Sequence, residues 1–472
     1  MRTHLLIRWL AALAFCVAGQ LTAQASHVLG GDISYAPVAT SASRYHITVR
    51  LYRDVTGVDQ PETTLKCSRN GCETAATGSF TRQLRLSERL KGTSLGCNGS
   101  YSYEILLYET EEDLPAGQWT LSVYAENRAP GILNMASSDR QTFFVSSFLD
   151  NVTVRQNSSP KFLSTLLPYL CGNSAQRYSF SAFDADGDSL TYRLVQPQGG
   201  ISTFAQCGTD IAGELAPYFT MDKATGGLTT QATTVRAGRY TMAARVSEYR
   251  RVGGTWQLIG GVTRDVSYSA FASNNNPPRF TGLTVGNTSA SQPVEQLIQV
   301  KPGQSISLVL TAADSDAGQT ITFSSQAPDV VPGLRLATIS ATQARLTWQV
   351  PSDLPLGRYT ATVAAIDNAC PFHASEEQTL RFLVTNQVLA TQPALSAALA
   401  AFPMPFREQV QFQALAGQLV LIADELGRPV AQLRADASGR VLWQPAASLP
   451  AGLYLARGAD GRPLARLLHA AN

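Results

Sequence analysis

Three carboxylates crowd into the five residues Asp184-Ala185-Asp186-Gly187-Asp188, and an apolar–polar alternation, Ser189-Leu190-Thr191-Tyr192, follows at once. Carboxylates this close repel one another unless each points into water or a hard cation sits among them. Calcium takes six to eight oxygen ligands and suits such a set. The spacing is not that of an EF-hand: with Asp184 first, the sixth position is Ser189 instead of Gly and the twelfth is Val195 instead of Glu. An Asp/Gly turn between two strands accounts for the same residues without a metal, so both readings stay open. A second acidic turn, Asp314-Ser315-Asp316-Ala317-Gly318, repeats the pattern with Gln319 in place of the third carboxylate, and a weaker site is expected there.

Other reactive residues are badly placed for catalysis. Gly92-Thr93-Ser94-Leu95-Gly96 matches the nucleophile-elbow pattern, which has meaning only on a strand-to-helix turn with a downstream Asp and His. Here it lies in a polar loop before Cys97, and no catalytic role is expected for it. His27, His46, His373 and His469 lack metal or relay spacing. Of seven cysteines, Cys16 falls in the leader; the other six suggest disulfides, with fifteen possible connectivities. Proximity favours Cys67 with Cys72 and Cys171 with Cys207, and the paired spacing of a zinc site is missing.

The elements that must position these residues are strands. A chain of 472 residues exceeds one core, and three or four domains are expected. Net charge is +2 with both signs interspersed, so no basic stripe exists to bind nucleic acid. Frequent Gly and Pro, short Val/Thr/Tyr/Phe runs and almost no helical periodicity predict an all-β chain of tandem β-sandwiches. Residues 45–53 alternate with period two, placing Tyr45, Ile47, Val49 and Leu51 on a core face. Tyr101–Tyr108 and Trp119–Tyr124 are further strand candidates.

Residues 1–25 read as a secretory signal: Arg2 and Arg8, the apolar run Trp9–Gly19, then the small-x-small site Ala23-Gln24-Ala25. No apolar stretch reaches the ~18 residues of a spanning helix. Asn157-Ser158-Ser159-Pro160-Lys161-Phe162 and Asn274-Asn275-Asn276-Pro277-Pro278-Arg279-Phe280 repeat one another, their phenylalanines 118 residues apart, a sandwich-sized period. The expected organisation is a β-sandwich over 26–155, a second over 156–273, a third over 274–387, an Ala/Gln/Pro/Ser-rich linker over 388–400 and a small β-sandwich over 401–472. Pro-rich joints suggest beads on a stiff rod.

Several motifs carry resemblances. The Asp184–Tyr192 turn and strand, with Phe219-Thr220-Met221-Asp222-Lys223-Ala224-Thr225-Gly226-Gly227-Leu228, resemble calcium-binding cadherin-like bacterial repeats. That likeness implies a ligand role for Glu248 beside Asp184, Asp186 and Asp188, and for Asp367 beside Asp314 and Asp316. Gly30-Gly31-Asp32, Leu51-Tyr52-Arg53-Asp54, Asn127-Arg128, Ile259-Gly260-Gly261, Arg264-Asp265-Val266 and Asp367-Asn368-Ala369-Cys370-Pro371 resemble a Bacteroidetes surface family with PKD-like or cadherin-like repeats, often labelled gliding-motility-associated. Val55 stands where that family often has a cysteine. Phe402-Pro403-Met404-Pro405-Phe406, Asp424-Glu425-Leu426-Gly427-Arg428-Pro429-Val430 and Leu449-Pro450-Ala451-Gly452-Leu453-Tyr454 resemble the type IX secretion sorting domain, though its usual Asn is Met404 and its terminal Lys is missing.

These resemblances imply passage through the periplasm to the outer cell surface by the type IX secretion machinery. Attachment to surface lipopolysaccharide or release would follow, with an extracellular protein or glycan as ligand. The implied function is non-enzymatic adhesion or surface binding with calcium-stiffened repeats. The alternative is a carbohydrate-binding protein or a subunit of a polysaccharide-degrading system. Exposed tryptophans would mark the alternative, but Trp119, Trp256, Trp348 and Trp443 mostly sit in strand patterns that favour the core.

Overall fold

The alternation at residues 45–53 is realised as the strand Arg44–Asp54, which buries Tyr45, Ile47, Val49 and Leu51. It pairs antiparallel with Val28–Pro37 on one side and Tyr103–Asp113 on the other. The computed structural model describes residues 28–71, 78–97, 102–126, 128–200, 207–286, 290–386, 401–424, 428–446, 448–458 and 463–470. The expected leader, Cys72 and Asn127 lie outside them. The described residues form β-strands with two short 3-10 turns and no α-helix. The chain divides into two units, residues 1–387 and 388–472.

The expected boundary between residues 155 and 156 falls inside one sheet. Thirteen strands from both expected modules form it, and Thr255–Phe271 pairs with Val28–Pro37 and with Phe143–Asp150. Gly30 faces Val266 so closely that an added Cβ would lie 2.3 Å from the Asp265 carbonyl. Two buried ion pairs lock this seam. Arg264 bonds Asp32 at 2.9 Å through Nε and lies 3.9 Å over the Phe162 ring, while Arg128 donates to both Asp265 oxygens. Several family-like motifs thus meet at a structural seam: a buried charge is tolerated only when a partner neutralises it.

The third module is a sandwich of two four-stranded sheets around Trp348, Tyr359 and Phe382. It is docked on the second, which corrects the beads-on-a-rod expectation. The Phe183 and Tyr359 rings lie 5.5 Å apart, Ser179 N donates to Glu377, and Phe271 stacks on Phe372 at 3.9 Å. A disulfide between Cys97 and Cys370 ties the first module to the third. Both proximity pairings are overturned: Cys67 and Cys171 are buried free thiols, and Cys207 is disulfide-bonded elsewhere. Neighbourhood in sequence says little about thiols that separate strands carry.

The second unit has its own core of Phe406, Phe412, Val420, Trp443 and Tyr454 between a two-stranded and a four-stranded sheet. Residues 425–427 of its expected Asp424–Val430 hairpin lie outside the described residues. Its Leu-Pro-x-Gly-x-Tyr strand start has a structural meaning that recurs along the chain. The Tyr454 hydroxyl donates to the carbonyl of Pro450, as Tyr359 does to Pro355 and Tyr240 to Arg236. In the first module the Trp119 indole N–H does the same to Pro115. Each pair closes a corner where the chain enters a sandwich strand, an arrangement akin to a tyrosine corner.

Candidate metal centre

The acidic turn joins the strand Ala182–Phe183 to Ser189–Val195. Asp184 Oδ1 accepts the backbone N–H groups of Asp186 and Asp188 at 3.0 and 2.9 Å, and Gly187 supplies the positive φ of 78°. Gly187 also packs against the third module: an added Cβ would meet Pro355 at 2.8 Å and the Tyr359 hydroxyl at 3.0 Å. The turn therefore sits at the joint between second and third modules.

From the neighbouring strand Gly238–Val252, Glu248 points into the same place. One carboxylate oxygen each from Asp184, Asp188 and Glu248 lie within 4.8 Å of one another, and all three residues are buried. Asp184 Oδ2 and both Glu248 oxygens have no hydrogen-bond partner. Burial pushes the Asp184 carboxyl up to about 7, opposed by the Asp188 N–H and reinforced by the charges of Asp188 and Asp186. Burial, then the Asp184 charge, push Glu248 well above the usual carboxylate range. Gly260 makes room on the adjacent strand, since an added Cβ would lie 2.1 Å from Glu248 Oε2 and 2.8 Å from the Tyr35 hydroxyl.

Arg250 supplies the nearest positive charge. It donates to both Asp188 oxygens and to Asn157 Oδ1 at 2.9 Å, and lies 3.4 Å from Asp186. Asp186 Oδ2 also accepts the Ser158 N–H at 2.7 Å and stands outside the convergent group. One guanidinium cannot balance Asp184, Asp186, Asp188 and Glu248 together. The donors are all hard oxygens, and three buried ones are unpartnered, so the residues fit calcium. Asp184 and Glu248 would hold the ion, and Asp188 would share its carboxylate between it and Arg250.

The second turn copies the frame. Asp314 Oδ1 accepts the Asp316 N–H at 2.8 Å, and Asp316 accepts the Asn276 backbone and side-chain amides at 2.8 and 3.0 Å. Asp314 Oδ2 is buried without a partner. Asp367 is satisfied by Ala369 N, Ala374 N and the Asn275 side chain. Among the described residues, only Asp184, Asp188 and Glu248 form a convergent group of three; Asp314, Asp316 and Asp367 do not.

Sequence reasoning missed Arg250, Asn157 and Tyr35 as parts of the first centre. Strand alternation was the signal for Arg250, which shares the face of Glu248 two residues away. Nothing local points to Tyr35, more than 140 residues from the turn. The Gly92–Gly96 pattern follows a strand of an antiparallel sheet, and its Ser94 hydroxyl donates to Gly96 O at 2.9 Å, so it is not an elbow. Trp119, Trp348 and Trp443 are buried, but Trp256 is 62% exposed, a departure from the core expectation.

No family model and no curated protein matches the chain. Solved structures to which it is similar include the tandem Ig repeats of Dlar, at 9% identity over 48% of this chain and 95% of that one, with a TM-score of 0.19. The protocadherin GammaB4 extracellular domain is 14% identical over 87% and 64%, with a TM-score of 0.17. An endo-fucoidan hydrolase of glycoside hydrolase family 107 is 13% identical over 74% and 43%, also at 0.17. At such scores these likenesses carry no argument about function, and the sandwich architecture stands on strand pairing and burial.

Proposed function

We propose that this chain is an exported, non-enzymatic surface protein for adhesion or surface binding, and that calcium at Asp184, Asp188 and Glu248 fastens its second and third modules together. The observation that carries the metal reading is the set of unpartnered buried oxygens on Asp184 and Glu248. A buried carboxylate without a partner is costly, and a divalent cation relieves the cost by binding the folded state alone. The ion would clamp a joint inside one unit, a role different from stiffening a chain of separate beads. Melting the full mature chain in calcium and then in chelator tests this: calcium raises Tm, and coincident melts would remove the metal from the reading.

Export and sorting are supported by the leader pattern and by the three ordered motifs in the 401–472 unit, which has a core of its own. The Leu-x-x-Gly-x-Tyr motif weighs less than the other two because the same corner recurs in other modules. Deleting residues 402–472 is expected to trap the protein in the periplasm, and normal surface delivery of that deletion would refute the sorting claim. A second reading, glycan binding, is favoured by the exposure of Trp256.

A further inference from the structure

The strands Ser189–Val195, Gly238–Val252 and Thr255–Phe271 carry the acidic centre on one face, and their opposite face lines a cleft of about 720 Å³. That volume is in the ~300–1,000 Å³ range of ligand clefts. Arg193 and Arg245 stand directly opposite each other across two paired strands, and Lys223 reaches the same cleft. Like charges in that position destabilise a sheet. Among the described residues none of the three is in an ion pair; Arg245 donates only to Thr263 Oγ1 at 3.2 Å. Asp210, the acid whose charge reaches Arg245, is held by the Gln198 side chain at 2.9 Å.

The rest of the lining includes several hydroxyls and aromatic rings. Thr191, Ser247, Tyr249 and Phe148 line the same cleft as the two arginines. Tyr249 pairs with Leu258, and Arg251 with Trp256, so alternation extends the cleft face outward along the hairpin to the exposed Trp256. Guanidinium groups bind carboxylates and sulfates through paired N–H donors. A flat indole offers its π face to the C–H face of a sugar ring, and hydroxyls exchange hydrogen bonds with sugar hydroxyls.

We propose that this cleft binds a strand of acidic polysaccharide, its anionic groups seated between Arg193 and Arg245 and a ring several sugars further along, about 20 Å away by six residues of extended strand, stacked on Trp256. The proposal deepens the glycan-binding reading and does not depend on calcium. Affinity electrophoresis of the full mature chain would use polygalacturonate for carboxylate, dextran sulfate for sulfate and neutral dextran as control. Retention by at least one acidic polymer and not by neutral dextran is expected. Arg193→Glu should weaken it at least about tenfold, while Tm holds or rises because a cross-strand Glu–Arg pair replaces a repulsive one. Trp256→Ala should weaken it several-fold, and Arg85→Glu, on an exposed strand of the first module, should leave it unchanged. Retention unaffected by Arg193→Glu and Trp256→Ala overturns the proposal. Binding to neutral dextran alone overturns the acidic assignment and leaves glycan binding standing; binding to none of the three polymers overturns both.

Discussion

Glu248→Gln separates the two readings of the acidic turn by the sign of its effect. Without a cation, the wild-type cluster sets Asp184, Asp186, Asp188 and Glu248 against Arg250 alone, with both Glu248 oxygens unpartnered. Burial holds the Glu248 carboxyl protonated at neutral pH when no cation is bound, at the cost of taking up a proton on folding, and an amide is neutral without that cost, so in chelator the variant should be as stable as wild type or more so. In calcium the order should reverse. A site of micromolar affinity saturated a hundredfold adds about 2.7 kcal/mol to the folded state. The unit from residue 28 to 387 unfolds with an entropy near 2.1 cal/mol/K per residue, or roughly 0.75 kcal/mol/K, which makes the shift about 4 °C. The assay is a calorimetric melt of the full mature chain, wild type and variant, in calcium and in chelator. Wild type should gain those degrees and Glu248→Gln should gain none. Equal gains in both proteins, or none in either, would refute the assignment of Glu248 as a ligand.

Three further outcomes follow from the same packing. Gly260→Ala should cost about 1–3 kcal/mol by overpacking and abolish the calcium response, because its Cβ would take the place of Glu248 Oε2; an unchanged calcium-induced Tm shift would contradict this. Arg128→Ala should destabilise by about 3–5 kcal/mol by stranding the buried Asp265, read by urea unfolding, and Asp265→Asn added to it should recover part of the loss. Glu377 is fully buried and its carboxyl is pushed up to about 7 by burial, against hydrogen bonds from Ser164 and Ser179 and the charge of Arg264. A folded pKa above the unfolded one favours the protonated folded state: its contribution is full below about pH 4.5 and is lost as pH rises through 7, roughly 3 kcal/mol in all. Glu377→Gln should flatten that slope and raise stability at pH 8; an unaltered pH–stability profile would argue against it.

Period-two alternation, Asp/Gly turns and the repeated Asn-x-x-Pro-x-Phe joints were enough to read an all-β chain, because strand exposure alternates locally and turns need particular backbones. Asp184 and Asp188 were legible for the same reason, and Glu248 through a resemblance. The remaining features depend on residues distant in sequence. Arg250, on the strand Gly238–Val252, and Asn157, in the connection before Lys161–Phe162, complete the acidic centre only because the fold brings both to the turn. Gly30 and Gly260 are glycines because another strand or side chain comes too close for a Cβ. The first two modules share a sheet because Thr255–Phe271 pairs with strands from both, and the Cys97–Cys370 bond spans 273 residues. Trp256 has the period of a core residue and lies in solvent, because its hairpin runs past the sheet that would have covered it. The sequence by itself determined the type of each element, through local periodicity and turn chemistry. Which faces meet, which charges pair and which are left for a ligand were decided only by the tertiary structure, since burial and pairing belong to the whole packed chain.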